Sequence, residues 1–455
     1  MSRPTVLYYG DDARDVYVSW QWLEGDHAEP HSFRVARGEV DALVSELMTA
    51  LPTRKDDERV EDAVERMLRT GPFARNSTER DLSRRLGDAL LPRDLLHSVV
   101  AHAERTGAPV RFRVLPPASC ARVPWELLVF DLDDGRGQRR LLDVADVVAD
   151  APAGIYAGRA RQPEAWAGQG ARGPAVHVID PETGTTGHGQ VLTREQAMSF
   201  ALRHPDSRGV AERTVSRAHL STYLRAEPRP SRLFYLGHVV SPQAQPGATS
   251  LLLSDGEDVY GVQPVVGATR PFSAFDVVEG TLFAAEREAE VRARRRRPAR
   301  DIVWPTGRFE ALAGSEIWPM PPRVALIACD SGADLGHPEP FGFVIACLTN
   351  GAGLVTATRW TLPADRAFRG RDVLEPGVDP EPLREMALAV DEAHAGDDPA
   401  GAIARWQRTR AALWDAAGDR APAAHSPTVW ASLTTYVAPR KELAPVSADD
   451  LAALT

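Results

Sequence analysis

The apolar positions of this chain change period along its length. Residues 5–9 and 16–23 are dense in Val, Tyr, Leu and Trp on either side of Gly10-Asp11-Asp12, which predicts two paired strands around a turn. Val60, Ala63, Val64, Met67 and Leu68 then fall at i, i+3, i+4, i+7 and i+8, one apolar face of a helix. A second helix is expected over 93–105. Val110, Phe112 and Val114 alternate with Arg111 and Arg113, the period of a strand with one solvated face. A Gly-, Ala- and Arg-rich stretch, 159–173, reads as a surface connection.

Beyond that stretch the pattern becomes strand, helix, strand. A buried strand is predicted at 175–179 and a helix at 214–226. Two unbroken apolar runs follow, Arg232-Leu233-Phe234-Tyr235-Leu236-Gly237-His238 and Val324-Ala325-Leu326-Ile327-Ala328-Cys329-Asp330-Ser331-Gly332. Such runs are strands buried on both faces of a parallel sheet. Phe341, Val344, Ile345 and Leu348 form a helix face closed by Asn350-Gly351, and a strand is expected over 353–360. Strand, helix, strand in this order implies a parallel crossover. Helices near 383–394 and 400–417 complete the pattern. The domains expected are an N-terminal half, 1–158, a second half, 174–440, and a tail, 441–455. The interval between His238 and Cys329 is longer than a crossover needs, so an insertion is expected at 260–318. Its run Glu286-Arg287-Glu288-Ala289-Glu290-Val291-Arg292-Ala293-Arg294-Arg295-Arg296-Arg297 reads first as a charged exposed helix. An autoprocessing loop or a docking site for an acidic partner are its other readings.

Composition narrows the class. A 455-residue chain can bury a dry core, and its 43% hydrophobic and 25% charged shares are those of an ordinary globular protein. A net charge of −10 argues against nucleic acid as a partner. The three cysteines, Cys120, Cys329 and Cys347, give neither a disulfide framework nor zinc spacing. No metal or cofactor is therefore expected, and a reducing cytoplasm is. The first residues have no secretory pattern, and the longest mainly apolar stretch, 341–357, is broken by glycines, so no membrane span is expected.

Both apolar runs stop at a Gly-containing turn, which puts His238 and Cys329 at strand ends, where open α/β sheets build their sites. A thiol and an imidazole on neighbouring strand ends are the minimum equipment for nucleophilic cysteine catalysis. At these residues the chain resembles the CHAT domain family of caspase-like proteins, related to separases and caspases. Five pieces in order carry the resemblance: Val123-Pro124-Trp125-Glu126-Leu127-Leu128, the histidine strand 233–238, the cysteine strand 327–332, the stretch from Glu339 to Trp360, and Ser426-Pro427-Thr428-Val429-Trp430-Ala431.

The resemblance implies an α/β caspase-like sandwich with a mostly parallel central sheet flanked by helices, an N-terminal pseudo-catalytic half and a C-terminal catalytic half. It implies a cysteine endopeptidase with a Cys–His dyad, Cys329 as nucleophile and His238 as general acid/base. The backbone N–H groups of Cys329 and Val239 would form the oxyanion hole. The family has Gly where Val239 stands, and valine does not readily take φ > 0. Asp365 is expected to bind the substrate's basic residue before the cut, one place off the separase spacing, with Asp330 a second candidate; Asp365 reads equally well as a helix cap. Trp125 and Glu126 read as a buried Trp and a paired carboxylate tying the halves together, or as substrate contacts. Cys120 and Cys347 read as packing, and the Gly-rich stretch around His188 as a turn. The function implied is a latent effector in a bacterial defence or signalling system, switched on by an activating protein partner and cutting a specific protein substrate. The alternative is a catalytically impaired CHAT scaffold acting as a protein-interaction module.

Overall fold

β1 (Pro4–Asp11) and β2 (Asp15–Trp22) pair antiparallel as the pattern predicts. The turn between them is tighter than expected: β1 runs through Asp11, and Asp12 Oδ1 accepts the Arg14 and Asp15 N–H groups at 2.7 and 2.8 Å. The computed structural model describes residues 4–22, 31–52, 58–152, 159–164, 166, 173–184, 189–240, 247–259, 261–280, 314–329, 331, 342–369 and 380–438, with backbone alone at 4–9, 11, 60 and 61.

β3 (His31–Ala36) extends the pair outward, while β4 (Val110–Leu115) lies parallel to β1 on the inner side. β5 (Val129–Phe130) and β6 (Arg139–Arg140) make a separate two-stranded ribbon, and β7 (Ala145–Asp150) runs parallel to β4. β8 (Ala175–Ile179) and β9 (Arg232–Leu236) are parallel neighbours. Beyond β9, β10 (Val239–Val240), β11 (Ser250–Leu251) and β12 (Phe272–Ser273) form a small antiparallel sheet. β13 (Arg323–Ile327) and β14 (Leu354–Thr358) are parallel, joined through helix Phe343–Thr349, the crossover the sequence implies. β15 (Leu433–Val437) runs antiparallel to β14 and parallel to β7.

β15 thus fuses both halves into one ten-stranded sheet, ordered β3-β2-β1-β4-β7-β15-β14-β13-β9-β8. Its neighbours are parallel except at β3–β2, β2–β1 and β14–β15. This is the mostly parallel α/β sheet flanked by helices that the sequence implies. The C-terminal strands are apolar on both faces because helices cover both. Val324 and Leu326 pack with Leu220 and Val344 on one side; Ala325 and Ile327 pack with Phe200, Met386 and Val390 on the other. The arms of the expected insertion, 272–279 and 314–318, belong to this core: Phe272, Val277, Ile317 and Trp318 are buried in it. The arginine run 294–297 lies outside the described residues.

Two buried charge clusters hold the halves together. Arg359, just past β14, donates two bonds to Glu126, at 3.0 and 2.9 Å, and further bonds to the Ala431 and Leu433 carbonyls. Trp360 Nε1 donates to the Thr428 carbonyl at 2.8 Å. The segments around Trp125, Trp360 and Trp430 are therefore one tie, as the structural reading of Glu126 expects. In the second cluster Arg140 bridges Glu79 and Asp415, bringing helix Pro399–Ala417 back across to the N-terminal half.

Truncating one partner of a buried ion pair leaves an uncompensated charge. Glu126→Ala is expected to lower the stability of the whole chain by about 3–5 kcal/mol in urea unfolding. A change below about 1 kcal/mol would mean that water reaches Arg359 and that the tie is not dry.

Candidate functional site

The positions of Cys329 and His238 are set by one ladder. β9 and β13 pair with Tyr235 opposite Leu326 and Leu236 opposite Ile327, and the Gly237 N–H continues to the Ile327 carbonyl at 3.3 Å. His238 and Cys329 each lie two residues beyond that last pair, on adjacent strand ends whose spacing is about 4.8 Å. Cys329 packs on the face shared by Phe234, Leu236, Ala325 and Ile327, under helix Pro382–Ala395. Its Sγ lies 3.9 Å from the Leu362 carbonyl; the residue is partly exposed, whereas Cys120 and Cys347 are fully buried, as their packing reading expects.

His238 Nε2 lies 2.7 Å from the Gly189 carbonyl. A carbonyl only accepts, so Nε2 carries hydrogen and Nδ1 is the basic nitrogen of the neutral ring. Gly189 belongs to a strap fixed at several points. The Gln190 carbonyl accepts from Arg366 at 3.2 Å, and Asp180, at φ 44°, accepts the Leu192 N–H at 3.2 Å. Thr193 then caps helix Arg194–Arg203. Sequence reasoning named no orienting partner for His238; a main-chain carbonyl leaves no residue-type signature.

The backbone at His238 is equally constrained. Tyr235 Oη donates between the His238 and Leu252 carbonyls, at 2.7 and 2.9 Å. Burial holds that phenol well above its usual pKa, so it stays a donor. Gly237 makes room for it: a Cβ there would sit 2.7 Å from the Tyr235 hydroxyl. Val239 needs no left-handed backbone, since the described non-glycine residues at positive φ are Asp133 and Asp180. The Leu252 N–H bonds the His238 carbonyl, which makes Val239–Leu251 the non-hydrogen-bonded pair of the β10–β11 ladder. The Val239 N–H therefore turns away from β11, toward the outer edge of the small sheet.

Ser331 fastens the turn that carries Cys329. Its buried hydroxyl donates to the Leu326 carbonyl at 2.7 Å and accepts the Thr358 N–H at 3.1 Å. Thr358 Oγ1 in turn donates to the Ala328 carbonyl. Asp365 starts a short 3-10 turn after Leu362 and is buried. Its two oxygens accept the Leu383 and Arg384 N–H groups at 2.8 and 3.4 Å, the first turn of helix Pro382–Ala395. It caps that helix rather than its own turn. Burial, with help from Glu381 and Glu385, pushes its pKa up to about 6. Asp330 and His188 lie outside the described residues.

No family model and no curated protein matches the chain. Among the solved structures similar to it are two of the Saccharomyces cerevisiae separase–securin complex. One, at 3.0 Å resolution, has 11% identity and a TM-score of 0.46; the other, at 2.6 Å, has 10% and 0.43. Each match covers 96% of this chain and 30% of the other. This chain thus spans less than a third of the separase length. No helix among the described residues is long and apolar enough to cross a membrane.

Ser331→Ala removes a donor and an acceptor that tie the cysteine turn to β14. We expect a loss of about 1–3 kcal/mol in chemical denaturation, with the Cys329 turn losing amide-exchange protection before the rest of β13. Unchanged protection there would show that the turn holds itself. For Asp365 the folded state binds its proton more tightly than the unfolded chain, so this contribution to stability is present below pH 3.8 and lost as pH rises through about 6. Asp365→Asn should flatten that part of the stability profile. Parallel profiles for the two proteins between pH 4 and 7 would contradict the raised pKa.

Proposed function

We propose that this chain is a cysteine endopeptidase of the caspase-like kind, with Cys329 as nucleophile and His238 as general acid/base. The observation that carries this reading is the β9–β13 register, which ends two adjacent strands in a thiol and an imidazole with matching offsets. In this reaction the Cys329 thiolate attacks a peptide carbonyl carbon. Backbone N–H groups of Cys329 and Val239 hold the oxyanion, where preorganised donors contribute most. His238, its Nε2–H fixed on the Gly189 carbonyl, takes the thiol proton on Nδ1 and returns it to the leaving amine. Water then releases the acyl group from sulfur.

The preferred substrate is a protein with a basic residue before the cut. Two more acidic side chains, Glu381 and Glu385, stand near Asp365, each shared with an arginine, Arg384 and Arg410. Asp365 contributes charge there only by sharing the carboxylate that caps helix Pro382–Ala395, and Asp330 is the second acidic group. The arginine run 294–297 is the proposed self-cleavage site on this account. Residence in the cytoplasm, latency and release by an activating protein partner, in a bacterial defence or signalling role, complete the reading by resemblance to CHAT proteins. No acceptor of phosphates or nucleic acid is part of it.

Profiling the full chain on a proteome-derived peptide library tests both levels. Cys329→Ala is expected to abolish cleavage, and His238→Ala to lower it by about 10²–10⁴-fold, with circular dichroism unchanged. Cleavage by Cys329→Ala would end the proposal. A preference for Asp or Leu before the cut would remove the acidic pocket and the self-cleavage site while leaving the dyad. Partner binding without any cleavage would favour the scaffold.

A further inference from the structure

A second cluster of chemistry lies away from the strand ends, under helix Pro382–Ala395. His177 stands mid-way along β8, fully buried among apolar neighbours. His204 ends helix Arg194–Arg203 and is partly exposed. Asp391 comes from helix Pro382–Ala395 and is buried. The two imidazoles stack with centroids 4.5 Å apart and planes 19° from parallel, and both aim Nε2 at the one carboxylate. His177 Nε2 is 2.9 Å from Asp391 Oδ1, and His204 Nε2 bonds Oδ2. One ligand atom from each residue lies within 4.8 Å of the other two.

We propose that His177, His204 and Asp391 bind a divalent transition-metal ion, Zn²⁺ by preference, at a site separate from Cys329 and His238. The donor set supports this choice. Two imidazole nitrogens and a carboxylate oxygen with one open position are zinc chemistry, and imidazole disfavours Mg²⁺ and Ca²⁺. Bonds of about 2.0–2.1 Å bring tetrahedral ligands about 3.3 Å apart, a movement that the partly exposed His204 can make.

The outer partners fit as well. Metal-bound histidines donate their other ring N–H to a fixed acceptor. His177 Nδ1 lies 2.6 Å from Ser207 Oγ, which lies 2.9 Å from the Ala175 carbonyl. With the ion on Nε2, the ring hydrogen sits on Nδ1 and donates a hydrogen bond to Ser207 Oγ, while the Ser207 hydroxyl donates its own to the Ala175 carbonyl. Arg232, 3.4 Å from Asp391 Oδ1, the oxygen that His177 also contacts, helps hold the carboxylate in place. The ion would pin together three separate elements: the outer strand β8, the helix that follows the His238 strap, and the helix capped by Asp365. Its work is to fasten that wall, beyond the peptidase chemistry proposed above.

The test uses the full chain carrying Cys329→Ala, so that the thiol cannot bind zinc, stripped with EDTA and titrated calorimetrically with Zn²⁺ and optically with Co²⁺. The expected result is one ion per chain, a tetrahedral cobalt spectrum and a higher melting temperature with zinc. His204→Ala and Asp391→Asn should each abolish the stoichiometric binding. Ser207→Ala, which keeps all three ligands, should weaken it by about 10–100-fold. No stoichiometric binding by the parent protein, or equal binding by His204→Ala, overturns the proposal. Because neither Cys329 nor His238 takes part, either result leaves the dyad untouched.

Discussion

Parallel pairing between β9 and β13 is the constraint on which the candidate site depends. A parallel ladder cannot close through a hairpin, so its two strands arrive from distant parts of the chain and are held in register only by packing on both faces. Here Leu233 and Tyr235 alternate with Phe234 and Leu236 between two apolar clusters, and Val324 to Ile327 do the same. A slip of one residue would turn every side chain to the wrong layer. Register and burial thus enforce each other, and the residues just past the ladder, His238 and Cys329, inherit their relative position from the core.

What surrounds those two residues is mainly backbone held by hydroxyls. Tyr235 fixes the His238 carbonyl, Ser331 and Thr358 fix the cysteine turn, and the Gly189 carbonyl holds the imidazole. Main-chain groups cannot rotate away as side chains do, which suits the proposed reaction, since it depends on preorganised donors. The same strategy recurs across the sheet. Glu126 and Arg359 join the two halves at a buried point next to the end of β14, so the strand beside that of Cys329 is anchored by the N-terminal half.

The sequence was most legible where burial is one-sided or complete. β8 coincides with its expected span of 175–179, and helices Pro382–Ala395 and Pro399–Ala417 differ from expectation by a residue at most ends. Helix Asn76–Leu90 escaped notice because its apolar positions, Leu82, Leu86 and Leu90, are thin among charges, and its buried Glu79 looks like surface. β15 went unread although Thr, Tyr and Val all favour strands; its Thr434 and Thr435 are buried, and Thr435 bonds Thr356 across the sheet. At the site, residue types named the thiol and imidazole and offered Asp365 as a cap, but not Gly189 or the distant helix that Asp365 caps. Those contacts join residues far apart in sequence. His177, an imidazole inside an otherwise apolar strand, carried no signal above the other histidines in the sequence, and its partners Asp391 and His204 became visible only in three dimensions.

The central claim is that the β9–β13 register brings Cys329 under the control of His238. The most direct measurement is site-resolved labelling with a peptidyl acyloxymethyl ketone, read by peptide mass spectrometry on the folded chain. The account predicts modification at Cys329 and none at the buried Cys120 and Cys347, with the rate falling sharply in His238→Ala. Labelling of Cys329 at an unchanged rate without His238, or labelling at Cys120 or Cys347 instead, would contradict it.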